Sequence, residues 1–135
     1  MGALSKDGLA KAYTVLYIED NIDNVHLVEK ILGRRESIEM LAASDADSGI
    51  ELAVTRQPDL ILLDINLGGK DGYAVLADLQ KNERTRCIPV VGLSANAMPD
   101  DIEKALAGGF KEYITKPIDI SQFLAKIDEL LELHS

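Results

Sequence analysis

Acidic, hydroxyl and ammonium side chains stand at the ends of short apolar runs in this sequence. Glu19 and Asp20 follow the first run, and Asp64 follows the third. Ser94 follows the fourth run, and Lys116 follows the fifth. If folding brings them together, three carboxylates, one hydroxyl and one ammonium could bind a divalent cation and a phosphoryl group.

Each of these residues is a weak signal when it is taken alone. An acidic pair after a strand is most often a solvated turn, and Asp64 is about as typical of a cap as of a nucleophile. A lone serine such as Ser94 usually caps a helix, and a lone lysine such as Lys116 is usually solvated. Their joint appearance at four strand ends is what favours a site.

The apolar runs predict the strands that position these groups. They occupy residues 14–18, 38–43, 60–63, 89–93 and 111–115. The runs at 14–18, 60–63 and 90–93 are almost continuously apolar, so we expect strands that are buried on both faces. The other two runs are more mixed, which is typical of edge strands.

A segment of helical periodicity follows each predicted strand. We expect the first helix over 22–32, ending at Gly33, the second after a cap at Ser44 or Asp45, and the third from Gly72 to about Asn82. The fourth is expected from Pro99 to Gly108, and the fifth after a cap at Asp119. This alternation predicts an α/β fold, a single doubly wound five-stranded parallel sheet with five helices. Ligands of such sheets bind at the carboxyl ends of the strands, where the polar residues stand.

Composition excludes several classes of function. The 135 residues carry a formal net charge of −9, which disfavours binding to nucleic acid or to anionic membranes. No apolar run approaches the roughly 20 residues of a membrane span, so we expect no membrane insertion. With one cysteine there is no intramolecular disulfide, and we expect a cytoplasmic protein. We interpret residues 1–12 as a flexible leader and 13–133 as the folded domain.

Electrostatics restrict what the acidic cluster can do. Three carboxylates within a few ångströms repel one another, and a divalent cation resolves that repulsion. Oxygen ligands favour Mg²⁺ or Mn²⁺. Asp64 would then be a carboxylate nucleophile, and Lys116 would neutralise a phosphoryl oxygen.

The sequence resembles the receiver domain of two-component response regulators over nearly its whole length. The resemblance rests on VLYIEDN at 15–21, PDLILLDINLGGKDGYAVL at 58–76, PVVGLSANA at 89–97 and FKEYITKPID at 110–119. It implies the strand order 2-1-3-4-5, and a phosphoacceptor that takes its phosphoryl group from a phosphohistidine and responds with a conformational switch. It also implies that such a domain catalyses its own aspartyl phosphorylation and dephosphorylation, without being an enzyme acting on other substrates.

The resemblance implies a role for each site residue. Asp64 matches the phosphorylated aspartate, with Ser94 and Lys116 as its catalytic partners. Glu19, Asp20, Asp64 and the backbone carbonyl of Asn66 match the ligands of Mg²⁺ (or Mn²⁺). Tyr113 matches the aromatic residue that switches with Ser94, and Lys116–Pro117 matches a peptide bond that is often cis. Asn66 and Asn96 flank the expected water path and are candidates for setting the rate of dephosphorylation.

The resemblance also implies partners. We expect a histidine kinase or a histidine phosphotransfer protein as the phosphoryl donor, and no direct contact with nucleic acid. The surface formed by helix 4, strand 5 and helix 5 is the expected readout surface and a candidate for weak homodimer formation. Residues 94–124 resemble receivers attached to hybrid sensor histidine kinases, so we favour an excised domain over a stand-alone receiver.

The sequence leaves three alternative functions open, and at one position it departs from the family pattern. A haloacid-dehalogenase-type phosphatase would need a second aspartate at Asn66, and a flavodoxin-like carrier would need a phosphate loop in place of the acidic EDNIDN. A degenerate receiver, acting only as an interaction module, usually lacks one of the site residues. Gly68 replaces the usual proline of the family, so we expect the 67–71 loop to be mobile without metal.

Overall fold

A parallel sheet lies at the centre of the computed structural model, which describes residues 13–67, 71–96 and 98–131. Within these residues, the five strands are β1 (Tyr13–Ile18), β2 (Ile38–Ala43), β3 (Leu60–Asp64), β4 (Val90–Ser94) and β5 (Glu112–Thr115). They pair in parallel in the order β2-β1-β3-β4-β5. The predicted sheet and strand order are confirmed.

A helix follows each strand. The helices of the described residues are α1 (Ile22–Leu32), α2 (Ala46–Arg56), α3 (Gly72–Lys81), α4 (Pro99–Ala107) and α5 (Ile120–Leu130). Capping side chains fix where several of them begin, because each accepts a hydrogen bond from a backbone N–H of the first turn. The caps are Asn21, Asp45, Asp71 and Asp119. Asp45, rather than Ser44, caps α2.

The helices cover both faces of the sheet. Val15 and Tyr17 of β1 pack in a core with α1 and α5, whereas Leu16 and Ile18 pack in a second core with α2, α3 and α4. Each residue of β3 and β4 is buried, as the continuous apolar runs predict. The more mixed β2 and β5 form the two edges of the sheet, as predicted.

Some expectations concern residues that the structure does not describe. The leader at 1–12 and the glycines of the 67–71 loop, Gly68 and Gly69, lie outside the described residues. The mobility of both and the domain limits 13–133 stay predictions. In the part of the chain that is described, each helix is too short or too polar for a membrane span.

Candidate functional site

Carboxylates from two neighbouring strands meet at the carboxyl edge of the sheet. Glu19 and Asp20 follow β1, and Asp64 ends β3, which pairs with β1. One oxygen of each of these three carboxylates lies within 4.8 Å of the others. Glu19 and Asp64 are buried, with 1% and 5% of their surface exposed, whereas Asp20 is exposed to solvent. This geometry offers oxygen ligands to a divalent cation, with one side open to water.

Lys116 brings a positive charge to two of these carboxylates. Its Nζ atom lies 3.0 Å from Glu19 Oε1 and 3.2 Å from Asp64 Oδ2. Burial disfavours the charged ammonium, but the hydrogen bond to Glu19 and the negative charges of Asp64 and Glu19 outweigh this effect and raise the pKa of Lys116. Lys116 is therefore fully charged at neutral pH. The Lys116–Pro117 peptide bond is cis.

A short network connects Asp64 with the end of β4. The backbone N–H of Asn66 donates to Asp64 Oδ1 at 2.9 Å, and its side-chain amide donates to Ser94 Oγ at 3.3 Å. The backbone N–H of Asn96 also donates to Ser94 Oγ, at 3.1 Å. Ser94 is buried, and these two donors fix the position of its hydroxyl oxygen. Because Ser94 Oγ accepts both of these hydrogen bonds, its O–H group remains available to donate to an acceptor in the site.

Tyr113 of β5 reaches the connection that follows β4. Its hydroxyl donates a hydrogen bond to the backbone carbonyl of Asn96. Tyr113, Ser94, Asn66 and Asn96 all line an open cleft of about 540 Å³. The residues with expected roles in the switch and in the water path therefore share one cleft.

Two further residues of the site are ones that sequence reasoning missed. The phenol of Tyr17 donates to Glu19 Oε1 at 3.0 Å, and the side-chain amide of Asn24 donates to the same oxygen at 2.9 Å. Tyr17 has the pattern of an ordinary core residue, because it stands in an apolar strand. The spacing of Glu19, Asn21 and Asn24 in EDNIDN is the one signal that could have pointed to Asn24, since it places that amide on the first turns of α1.

The assembled groups suit phosphoryl chemistry. A carboxylate with little exposure stands next to an ammonium and two further carboxylates, and Asn66 links it to the hydroxyl of Ser94. Such a set can neutralise the charge of a transferring phosphoryl group and can position it against an oxygen nucleophile.

Comparison with known proteins places this architecture in a family. The profile of the response regulator receiver domain matches residues 15–128. The chain belongs to this family. It is thus a receiver domain of the two-component type, as the sequence motifs indicated.

Curated relatives of this receiver domain include response regulators of different length. The polar-differentiation response regulator DivK of Brucella ovis is 34% identical over 118 residues, which cover 87% of this chain and 95% of DivK. The DNA-binding dual master transcriptional regulator RpaA of Synechocystis is 42% identical over 89 residues. That match covers 66% of this chain but 37% of RpaA, so it spans about a third of that relative.

Solved structures of similar fold include receiver domains of histidine kinases. The receiver domain of sensor histidine kinase PA1611 from Pseudomonas aeruginosa, described with a magnesium ion coordinated in its active site cleft, is 26% identical with a TM-score of 0.79. The match covers 90% of this receiver domain and 98% of that chain. The signal receiver domain of a histidine kinase from Syntrophus aciditrophicus is 25% identical, also with a TM-score of 0.79, over 92% and 93% of the two chains.

Proposed function

We propose that Asp64 accepts a phosphoryl group from a phosphohistidine and holds it as an acyl phosphate. The observation that carries this proposal is the 3.2 Å contact between Lys116 Nζ and Asp64 Oδ2, beside the carboxylates of Glu19 and Asp20. Lys116 is partly buried, and the acidic neighbours of Asp64 can hold a cation. A carboxylate nucleophile needs such positive charge nearby, because negative charge accumulates where it attacks.

The transfer forms one bond and breaks one bond. A carboxylate oxygen of Asp64 attacks phosphorus, and the phosphorus–nitrogen bond of the phosphohistidine breaks, with its electron pair returning to the imidazole. Lys116 neutralises one phosphoryl oxygen and the Ser94 hydroxyl donates a hydrogen bond to another. The chain contributes charge and position, which is the main source of catalysis in phosphoryl transfer.

The acidic cluster fits a divalent cation. Glu19, Asp20 and Asp64 offer oxygen atoms within 4.8 Å of one another, and the backbone carbonyl of Asn66 is the further ligand we propose. An all-oxygen donor set with an exposed member suits Mg²⁺, which keeps several waters, and Mn²⁺ is the alternative. When bound, the cation supplies positive charge against the phosphoryl oxygens.

Phosphorylation would act through a switch instead of a new fold. We propose that Ser94 moves toward the phosphoryl group and that Tyr113 follows, which changes the surface of α4, β5 and α5. That surface is the proposed readout site and the candidate for a weak homodimer. We also propose that the receiver catalyses its own dephosphorylation, at a rate set by Asn66 and Asn96.

The proposed donor is a histidine kinase or a histidine phosphotransfer protein, in the cytoplasm. Two solved neighbours are receiver domains of histidine kinases, which supports an origin within a hybrid kinase. The net charge of −9 argues against direct contact of the chain with nucleic acid.

Incubation with acetyl phosphate and Mg²⁺, followed by intact-mass measurement, tests the proposal. We expect a gain of one phosphoryl group on the wild type and on Asp100→Ala, a control that removes an exposed carboxylate of α4. Asp64→Ala should show no gain. An equal gain on Asp64→Ala would contradict the proposal, and no gain on a folded wild type would favour an interaction-only receiver.

A further inference from the structure

One carboxylate oxygen of Glu19 accepts hydrogen bonds from three side chains. Within the described residues, Glu19 Oε1 accepts from Tyr17 Oη at 3.0 Å, from Asn24 Nδ2 at 2.9 Å and from Lys116 Nζ at 3.0 Å. The other oxygen, Oε2, accepts a longer hydrogen bond of 3.4 Å from the backbone N–H of Asn21. The donors therefore saturate Oε1 and leave Oε2 with lone pairs to offer.

Tyr17 and Asn24 differ from Lys116 in where they are anchored. Tyr17 is fully buried in β1, with its ring in the core beneath α1 and α5. Asn24 lies on α1, whose start is capped by Asn21. Both donors are therefore fixed to rigid elements, whereas Lys116 reaches Glu19 through a long side chain.

We propose that Tyr17 and Asn24 are positioning residues of the metal site, which hold Glu19 so that Oε2 is presented to the cation. This inference rests on the proposed function of the site. With both donors removed, Lys116 would be the side-chain donor left on Oε1 among the described residues. The carboxylate could then turn to pair both of its oxygens with that ammonium, in competition with the cation. Groups that orient a metal ligand in this way typically change metal affinity by about ten- to a hundredfold.

Titration of the unphosphorylated 135-residue chain with MgCl₂, followed by calorimetry, tests this inference. We expect Tyr17→Phe and Asn24→Ala each to weaken Mg²⁺ binding by about tenfold, the lower end of that range. Tyr13→Phe is the matched control, because it removes a phenol hydroxyl at the opposite end of the same strand. Circular dichroism in EDTA checks that each variant folds. If Tyr17→Phe does not fold, the Asn24→Ala variant alone carries the test.

A double-mutant cycle separates positioning from general destabilisation. In a Glu19→Ala background, Tyr17→Phe and Asn24→Ala should leave Mg²⁺ affinity within about twofold, because the group that they orient is gone. Wild-type affinity in folded Tyr17→Phe and Asn24→Ala, or an equal loss in the Glu19→Ala background, would overturn the inference. A wild type that binds no Mg²⁺ would instead overturn both the metal site and the inference that rests on it.

Discussion

Lys116 and Asp64 lie 52 residues apart in the chain, yet their charged groups meet at 3.2 Å. The contact exists because β3 and β5 both end at the carboxyl edge of one parallel sheet, on either side of β4. The flexible lysine thus reaches across a strand to a carboxylate that is buried. Substitutions at this pair therefore test the proposed site most directly.

Lys116→Met should slow phosphorylation of Asp64 strongly. The variant keeps much of the apolar stem but removes the charge that would neutralise a phosphoryl oxygen, which is worth about 10²- to 10³-fold for a group of this kind. The rate of acetyl phosphate incorporation at saturating Mg²⁺ measures the effect. Lys126→Met is the control, since Lys126 pairs with Glu112 on an exposed surface away from the site. A rate for Lys116→Met within twofold of the wild type would contradict this assignment.

The strand ends were predictable from sequence because parallel strands place their carboxyl ends at one edge. Reading the residue after each apolar run was enough to bring Glu19, Asp64 and Lys116 together. Side-chain direction was not predictable in the same way. Whether Asn66 turns its amide toward Ser94, 28 residues away, depends on the connection after β3 and on the pairing of β3 with β4.

Tyr17 is a second residue whose side-chain contacts could not be predicted from sequence. An aromatic residue inside an apolar strand predicts a core position, and Tyr17 does pack in the core. Its hydroxyl nevertheless reaches Glu19, which lies two residues further along the chain, just after β1, so that the two side chains share one face. Sequence spacing gives the shared face, but the length of the ring and the depth of the carboxylate decide the hydrogen bond.

Tyr113→Phe should loosen the connection between β4 and α4. The substitution removes the hydrogen bond from the phenol to the Asn96 carbonyl and leaves the ring in place. A neutral hydrogen bond contributes about 1 kcal/mol, so local opening should become about fivefold more frequent. Hydrogen exchange at the Asn96 amide measures this, because that amide is bonded to Ser94 Oγ. Tyr73→Phe, in the same cleft, is the control, and equal exchange in Tyr113→Phe and wild type would refute the expectation.

Asp128→Asn should reduce stability in a pH-dependent way. Arg35 forms two hydrogen bonds with Asp128, at 2.9 and 2.7 Å, which connect the end of α1 to α5. The Arg35 guanidinium lowers the pKa of Asp128 below its usual range. A lowered folded-state pKa stabilises above the unfolded value, about 3.9, and this contribution is lost as the pH falls through the folded value.

Urea unfolding at several pH values measures that contribution. At pH 7 we expect Asp128→Asn to lose about 0.5–1 kcal/mol, a modest value because both side chains are partly exposed. The difference from wild type should shrink below about pH 4. Glu39→Gln is the control, since Glu39 pairs with Arg56 at greater exposure and should matter less. A difference that stays constant down to pH 2 would rule out the ion pair as its cause.

Gly72→Ala should disturb the backbone that carries Asp64. A Cβ atom at Gly72 would lie 2.6 Å from the Cα of Ile65 and 3.0 Å from the carbonyl oxygen of Asp64, so the backbone after β3 must shift. Overpacking of this kind costs about 1–3 kcal/mol. Because Asp64 is also a proposed ligand, Mg²⁺ affinity should fall together with stability. Gly33→Ala is the control, since its nearest contact is 3.2 Å, at the far end of α1. If Gly72→Ala is destabilised but keeps wild-type Mg²⁺ affinity, the prediction is wrong, and the packing of α3 against the end of β3 does not control the geometry of the site.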